Sequence, residues 1–284
     1  MNHLFRHLSL LALLAVAALA AGCVTTSGYD SKAEYDPVNG RIGVIVMHGK
    51  GGKTQQHNIS LVNKLRAEGF RVIEPLMPWS GSGGTPSYND DIDGAMEILD
   101  KHIATLHKDG ADIVFLAGHS MGAMGAYVYG GYHGYIDGVI GVAPGHTPSS
   151  RFTSTKLAKS ISKARKMVAN GKGDETASFQ DFNMGQVHSL RTTAKNYFSY
   201  LNPNGKCNLQ KSLSKLGEIP ILWLAADQDK AVKSGFHRRI FSNAPANAMS
   251  DYREMNSSHL DAPSVGAGAV VAWIRKVSAN KLNR

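Results

Sequence analysis

Only two cysteines, Cys23 and Cys207, occur in 284 residues. So few thiols exclude a disulfide framework. No Cys and His pair has the spacing of a structural zinc site, so no metal and no cofactor are expected. Charged residues are also sparse, at 19% against 43% hydrophobic. That balance excludes a disordered chain and supplies enough apolar side chains for a sizeable core. No internal repeat is present, which excludes solenoids and propellers. At this length the chain makes one large α/β domain or two small ones. Long apolar runs are missing except at one place, residues 8–21, where Ser9 is the only polar residue. About 14 apolar residues are too few to span a bilayer. Preceded by His3, Arg6 and His7, they suit the core of a signal peptide.

That run ends in Ala20-Ala21-Gly22-Cys23. The ending resembles a bacterial lipobox, and an ordinary secretory leader is the alternative. The resemblance implies that residues 1–22 are a leader and that Cys23 is lipidated, anchoring the chain to a membrane through acyl chains. Val24 in place of aspartate points to the outer membrane of a two-membrane envelope. Residues 23–40 are polar and read as a tether. With Cys23 acylated, Cys207 has no partner for a disulfide.

Downstream, short apolar runs alternate with helical patterns. Residues 42–47, Ile-Gly-Val-Ile-Val-Met, form a continuous apolar run of the kind buried on both faces of a parallel sheet. Further strands are expected at 71–76, 113–117, 138–143, 221–225 and 252–255. Helices are expected at 59–68, 90–107 and 265–277. The alternation argues for a doubly wound, mostly parallel α/β sheet. In such a sheet ligands bind beyond the carboxyl ends of the strands.

The residues at those ends carry the chemistry. Gly118-His119-Ser120-Met121-Gly122 follows the strand 113–117 and opens an apolar helix. A serine between glycines at a strand–turn–helix junction is the G-x-S-x-G nucleophile elbow. A serine hydroxyl needs a base to take its proton and a carboxylate to orient that base. Asp227 and Asp229 follow the strand 221–225, and His259 follows the last strand. The chain order Ser, Asp, His differs from those of chymotrypsin and subtilisin and is that of the α/β-hydrolases. Over residues 41–280 the chain resembles the α/β-hydrolase superfamily. In that register Pro220-Ile221-Leu222-Trp223-Leu224-Ala225-Ala226-Asp227-Gln228-Asp229 places Asp229 as the acid, with Asp227 as a turn residue. His259 is preferred as base over His48, His119, His146 and His237 because it alone lies after the last strand.

The resemblance further implies an oxyanion hole. One donor is the N–H of Met121, and the second is the N–H of Lys50 in His48-Gly49-Lys50-Gly51-Gly52, with Gly51 as the alternative. His48 is expected to brace that loop. Trp79 is either a wall of the substrate pocket or a buried structural residue, and His146 is placed to line the pocket. The glycines at 81–84 lack the context of a phosphate loop.

Residues 146–216 separate two expected core strands, where the superfamily carries a cap; a helical cap is expected. Residues 151–216 hold 12 Lys and Arg against 3 Asp and Glu. Leu157, Ile161, Ala164 and Val168 fall at helical spacing opposite Lys156, Lys159, Lys163 and Lys166, a basic amphipathic pattern. It serves as a solvated face, a contact to anionic headgroups, or an attractor of anionic substrate. Nucleic acid does not fit an exported hydrolase. The expected function is cleavage of carboxylic esters, lysophospholipids or thioesters at the envelope, with acyl transfer at the same site as a variant. The rival is a non-catalytic binding protein on the same fold.

Overall fold

A computed structural model describes residues 38–230, 232 and 234–282. The apolar leader, Cys23 and the tether up to residue 37 lie outside the described residues. In chain order the elements are β1 (Ile42–Met47), α1 (Ile59–Ala67), β2 (Arg71–Ile73), β3 (Gly81–Ser82), β4 (Thr85–Pro86), α2 (Ile92–Lys108), β5 (Ile113–His119), α3 (Met121–Tyr132), β6 (Gly138–Val142), α4 (Arg151–Lys156), α5 (Ala158–Ala169), β7 (Thr176–Asn183), β8 (Gln186–Thr193), α6 (Ala194–Leu201), α7 (Leu209–Ser214), β9 (Ile221–Ala226), α8 (Ser234–Phe241), β10 (Asp251–Met255) and α9 (Ala262–Leu282).

Six strands form one parallel sheet in the order β10-β9-β6-β5-β1-β2. Side chains alternate across a strand, and here both faces are covered. From β1, Ile45 and Met47 enter one core while Ile42, Val44 and Val46 enter the other. From β5, Val114 and Leu116 face the first, and Ile113, Phe115 and Ala117 the second. This is why these strands read as unbroken apolar runs. Leu61, Val62 and Leu65 of α1 pack with Val270, Trp273 and Ile274 of α9 on the second face. Helices α2 and α3 and the segment between β6 and β9 cover the first. Asp91 caps α2, its carboxylate accepting from the N–H groups of Asp93 and Gly94.

The segment between β6 and β9 is not all helical. It contains the antiparallel hairpin β7–β8, paired from Thr176 with Thr193 to Asn183 with Gln186. The amphipathic helix breaks at Leu157 into α4 and α5. A further helix, α6, follows the hairpin. The hairpin escapes a periodicity reading because its inward side chains are few, with only Phe179, Asp181, Leu190 and Thr192 buried.

Acid should weaken this fold. Burial pushes His48 and His237 down to about 4 and His119 down to about 3. Unfolded, these imidazoles titrate near 6.5, so between the two values the unfolded chain binds more protons. Stability is therefore complete above pH 6.5 and is lost as the pH falls, by about 2 kcal/mol per buried histidine at pH 5. Glu74, raised by its burial, acts in the opposite sense. Melting followed by circular dichroism is expected to give a Tm lower at pH 5 than at pH 7 by about 10 to 20 °C.

Candidate active site

The elbow exists because two backbones nearly touch. A Cβ on Gly118 would lie 2.1 Å from the carbonyl carbon of Gly122, and one on Gly122 would lie 2.4 Å from the Met47 oxygen. Between them Ser120 takes φ +54°, a left-handed conformation that L-residues seldom adopt. The turn is held by its own backbone: the Ser120 N–H donates to Val142 O at 3.0 Å, and Ser120 O accepts from Gly145 at 3.1 Å.

Ser120, His259 and Asp229 are brought together. The Ser120 hydroxyl lies 3.0 Å from His259 Nε2, and His259 Nδ1 lies 2.6 Å from Asp229 Oδ2. A carboxylate accepts, so Nδ1 carries the proton and Nε2 presents its lone pair to the serine hydroxyl. The other oxygen of Asp229 accepts from the Val232 N–H at 3.0 Å. Asp227 points elsewhere, its carboxylate accepting from the Ser257 N–H at 3.2 Å.

The two expected backbone donors belong to segments next to Ser120, Met121 in the chain and Lys50 through Gly49. Gly49 lies against the nucleophile, since a Cβ built there would be 3.3 Å from Ser120 Cβ. The Gly49 carbonyl is fixed twice, by His48 Nδ1–H at 2.8 Å and by the Gly52 N–H at 3.2 Å. The peptide unit is planar and trans, so the Lys50 N–H on the same unit points the opposite way. Among the described residues it meets no protein acceptor, whereas the Gly51 N–H is engaged by Trp79 O at 2.8 Å. The Met121 N–H lies at the start of α3, where helix geometry leaves donors unpaired. His48 braces the loop as expected: its Nε2 accepts from the Met77 N–H at 3.1 Å. Kept neutral by burial, it retains that acceptor lone pair.

Trp79 is not a wall of the pocket. It is fully buried, and its indole N–H donates to His48 O at 2.9 Å, so it supports the loop from beneath. His146 does line the cavity beside Ser120, with its Nε2–H donating to Tyr200 O at 2.8 Å. Burial first, then the Lys50 charge, pushes its pKa down to about 3.

Two contacts were not foreseen. His119 turns away from Ser120 but reaches the base's loop, its Nε2–H donating to His259 O at 2.8 Å. The residue beside Ser120 thus holds the backbone of His259. Lys50 extends its ammonium to Asp181 Oδ1 at 2.9 Å, joining the loop to β7. Burial pushes Asp181 up, but the Lys50 charge, the neighbouring His146 and the hydrogen bonds from Lys50 and the Phe182 N–H together outweigh it and hold the carboxyl below its ordinary value. No motif marks either contact, because each depends on where a distant segment returns.

Ser120 opens onto two cavities. One, of about 680 Å³, is lined by Met121, Phe152, Phe182, Met184, Val232 and Phe236 together with Lys50, His146 and Arg239. The other, of about 280 Å³, is lined by the Gly49–Gly52 loop, His57, His119, Gln186 and His188. Among the described residues neither is lined by Asp or Glu.

Comparison with solved structures agrees with this architecture. A metagenome-derived lipolytic enzyme, described with LipS and LipT, superposes with a TM-score of 0.59 at 16% identity, covering 86% of this chain and 96% of its own. A monoacylglycerol lipase of Paleococcus ferrophilus gives 0.59 at 19% identity, covering 85% and 96%. The ferulic-acid-bound Est1E of Butyrivibrio proteoclasticus gives 0.56 at 13% identity, covering 85% and 90%. At such identities the likeness concerns the fold. Among curated proteins none matches the sequence. A family model does match, over residues 40–255, and with the parallel sheet and the elbow it shows that the chain is an α/β-hydrolase and belongs to the Hydrolase_4 family, serine aminopeptidase S33.

Proposed function

We propose that this protein hydrolyses carboxylic esters through an acyl-enzyme on Ser120. The observation that carries the reading is the linear set of contacts from Ser120 Oγ through His259 to Asp229, beside two backbone N–H groups without protein acceptors. His259 takes the serine proton as Oγ attacks the acyl carbon, and Asp229 stabilises the resulting imidazolium. The Met121 and Lys50 N–H groups hold the oxyanion. His259 then protonates the departing alcohol, and water, activated by the same imidazole, releases the acid. Another acceptor in place of water would give acyl transfer.

The family's description raises peptide hydrolysis as a second reading. An aminopeptidase must hold the substrate's terminal ammonium, which calls for a carboxylate near the serine. The larger cavity instead presents Lys50 and Arg239 among apolar side chains. This favours an apolar ester, lysophospholipids and thioesters included. The lipases and esterases among the structural neighbours are consistent with it.

We place this activity at a membrane of the cell envelope, with Cys23 lipidated after removal of residues 1–22. Residues 151–173 carry seven Lys and Arg and no Asp or Glu. They include the exposed face of α4 and α5, which suits anionic headgroups. Among the described residues no helix is long and apolar enough to cross a membrane.

A panel of p-nitrophenyl esters, lysophospholipids, acyl thioesters and aminoacyl amides, read with a serine-reactive fluorophosphonate, tests the reading. Ester turnover with labelling at Ser120 is expected. Labelling with turnover of aminoacyl amides alone would transfer the assignment to peptides. Neither labelling nor turnover would leave a binding protein.

A further inference from the structure

We propose that the β7–β8 hairpin is a working part of the oxyanion site, with Asp181 as a positioning residue acting through Lys50. This rests on the hydrolase reading above. Lys50 is held by β7 at both ends. Its ammonium donates to Asp181 Oδ1 at 2.9 Å and to Phe182 O at 3.2 Å. Its own carbonyl accepts from Asn183 Nδ2 at 3.4 Å, and the same amide donates to Gly84 O at 2.8 Å. Asp181 is in turn fully committed: Oδ1 also accepts from the Phe182 N–H at 2.7 Å, and Oδ2 from the Tyr88 hydroxyl at 2.9 Å. Side chains of the pair are 8% and 0% exposed.

The consequence concerns one peptide plane. His48 and Gly52 fix the Gly49 carbonyl from the body of the domain. The hairpin fixes Lys50 from the opposite side. Between these two anchors lies the Lys50 N–H, on the loop that Gly49 sets against Ser120. Removing either anchor frees the plane to rotate and moves the donor relative to the developing oxyanion. The second strand is tied down as well, with His188 Nδ1 2.9 Å from the Thr85 hydroxyl and the Thr192 hydroxyl donating to Tyr88 O at 2.6 Å. Swinging the hairpin clear would break the buried Lys50–Asp181 pair and these hydrogen bonds together. The hairpin is therefore a fixed wall, and substrate enters through openings that already exist.

The test compares wild type with Asp181→Asn, Lys50→Met and the double variant Lys50→Met/Asp181→Asn, which buries no lone charge and guards against misfolding. Active serines are counted by fluorophosphonate titration, and kcat is expressed per titrated site. All three variants are expected to lose about 10- to 100-fold in kcat, with KM within about threefold, since a misplaced oxyanion donor acts on the transition state. Affinity for a trifluoromethyl ketone, whose adduct on Ser120 loads the same hole, should fall by the same factor. A merely structural role would lower Tm and the count of titrated sites and leave both of these ratios unchanged. A double variant that retains kcat per site and ketone affinity within twofold of wild type overturns the proposal. Wild type that neither turns over esters nor binds the ketone overturns the hydrolase reading and this proposal with it. Wild type that binds the ketone without turning over esters overturns only the former, because ketone affinity still reports on Asp181.

Discussion

Ser120→Ala is expected to abolish ester turnover, lowering kcat by about 10⁶-fold, the scale seen when a nucleophile that acts as a unit with its base is deleted. KM should change little, because the larger cavity and its apolar lining remain. Folding should not suffer either. The elbow is shaped by the contacts of Gly118 and Gly122 with neighbouring backbone, and the serine hydroxyl contributes only its contact to His259. Alanine at φ +54° bears the same backbone strain as serine. The measurement is a progress curve against the preferred ester, beside a melting curve for the same preparation. A variant that melts like wild type and keeps more than about a thousandth of its rate would show that Ser120 is not the nucleophile.

The second large effect separates the two aspartates. Asp229→Asn should lower kcat by about 10⁴-fold, because an amide at that position favours the wrong imidazole tautomer. At present Nδ1–H donates to the carboxylate at 2.6 Å, which leaves Nε2 as the acceptor facing the serine 3.0 Å away. Asparagine can donate to Nδ1, placing the proton on Nε2 and turning the base into a donor. Asp227→Asn should cost less than about threefold, since its side chain only accepts a turn N–H and amide oxygen can do the same. Stopped assays at fixed titrated-site concentration decide between them. Equal losses in the two variants would refute the division of roles.

Much of this arrangement was legible from residue order alone. The fully buried strands β1, β5, β6 and β9 announce themselves as apolar runs because both faces of the sheet are covered. The residues just after them, Gly49, Ser120 and Asp229, fall where chemistry collects in a parallel sheet. β2 is shorter than its apolar run, ending at Ile73 before Glu74 and Pro75. The β7–β8 hairpin was not legible, because its exposed face is polar and its buried positions include Asp181 and Thr192. A buried aspartate reads as a surface residue until its partner, 131 positions earlier, is seen beside it. The His119 contact was hidden for a related reason. Its partner is the carbonyl of His259, 140 positions later. Trp79 belongs to the core because the loop folds back over it.

The strand order bears on how the protein comes into being. Ser120 follows β5, a central strand, while His259 follows β10 at one edge of the sheet. β10 is also the last strand to leave the ribosome and pairs only with β9. A nascent chain can therefore bring together β1, β2, β5 and β6, and with them the elbow, before His259 is in place. The serine stays inert until the chain beyond residue 255 has emerged and docked. On the proposed mechanism, synthesis thus proceeds without a competent nucleophile, and reactivity begins with the closing of the sheet.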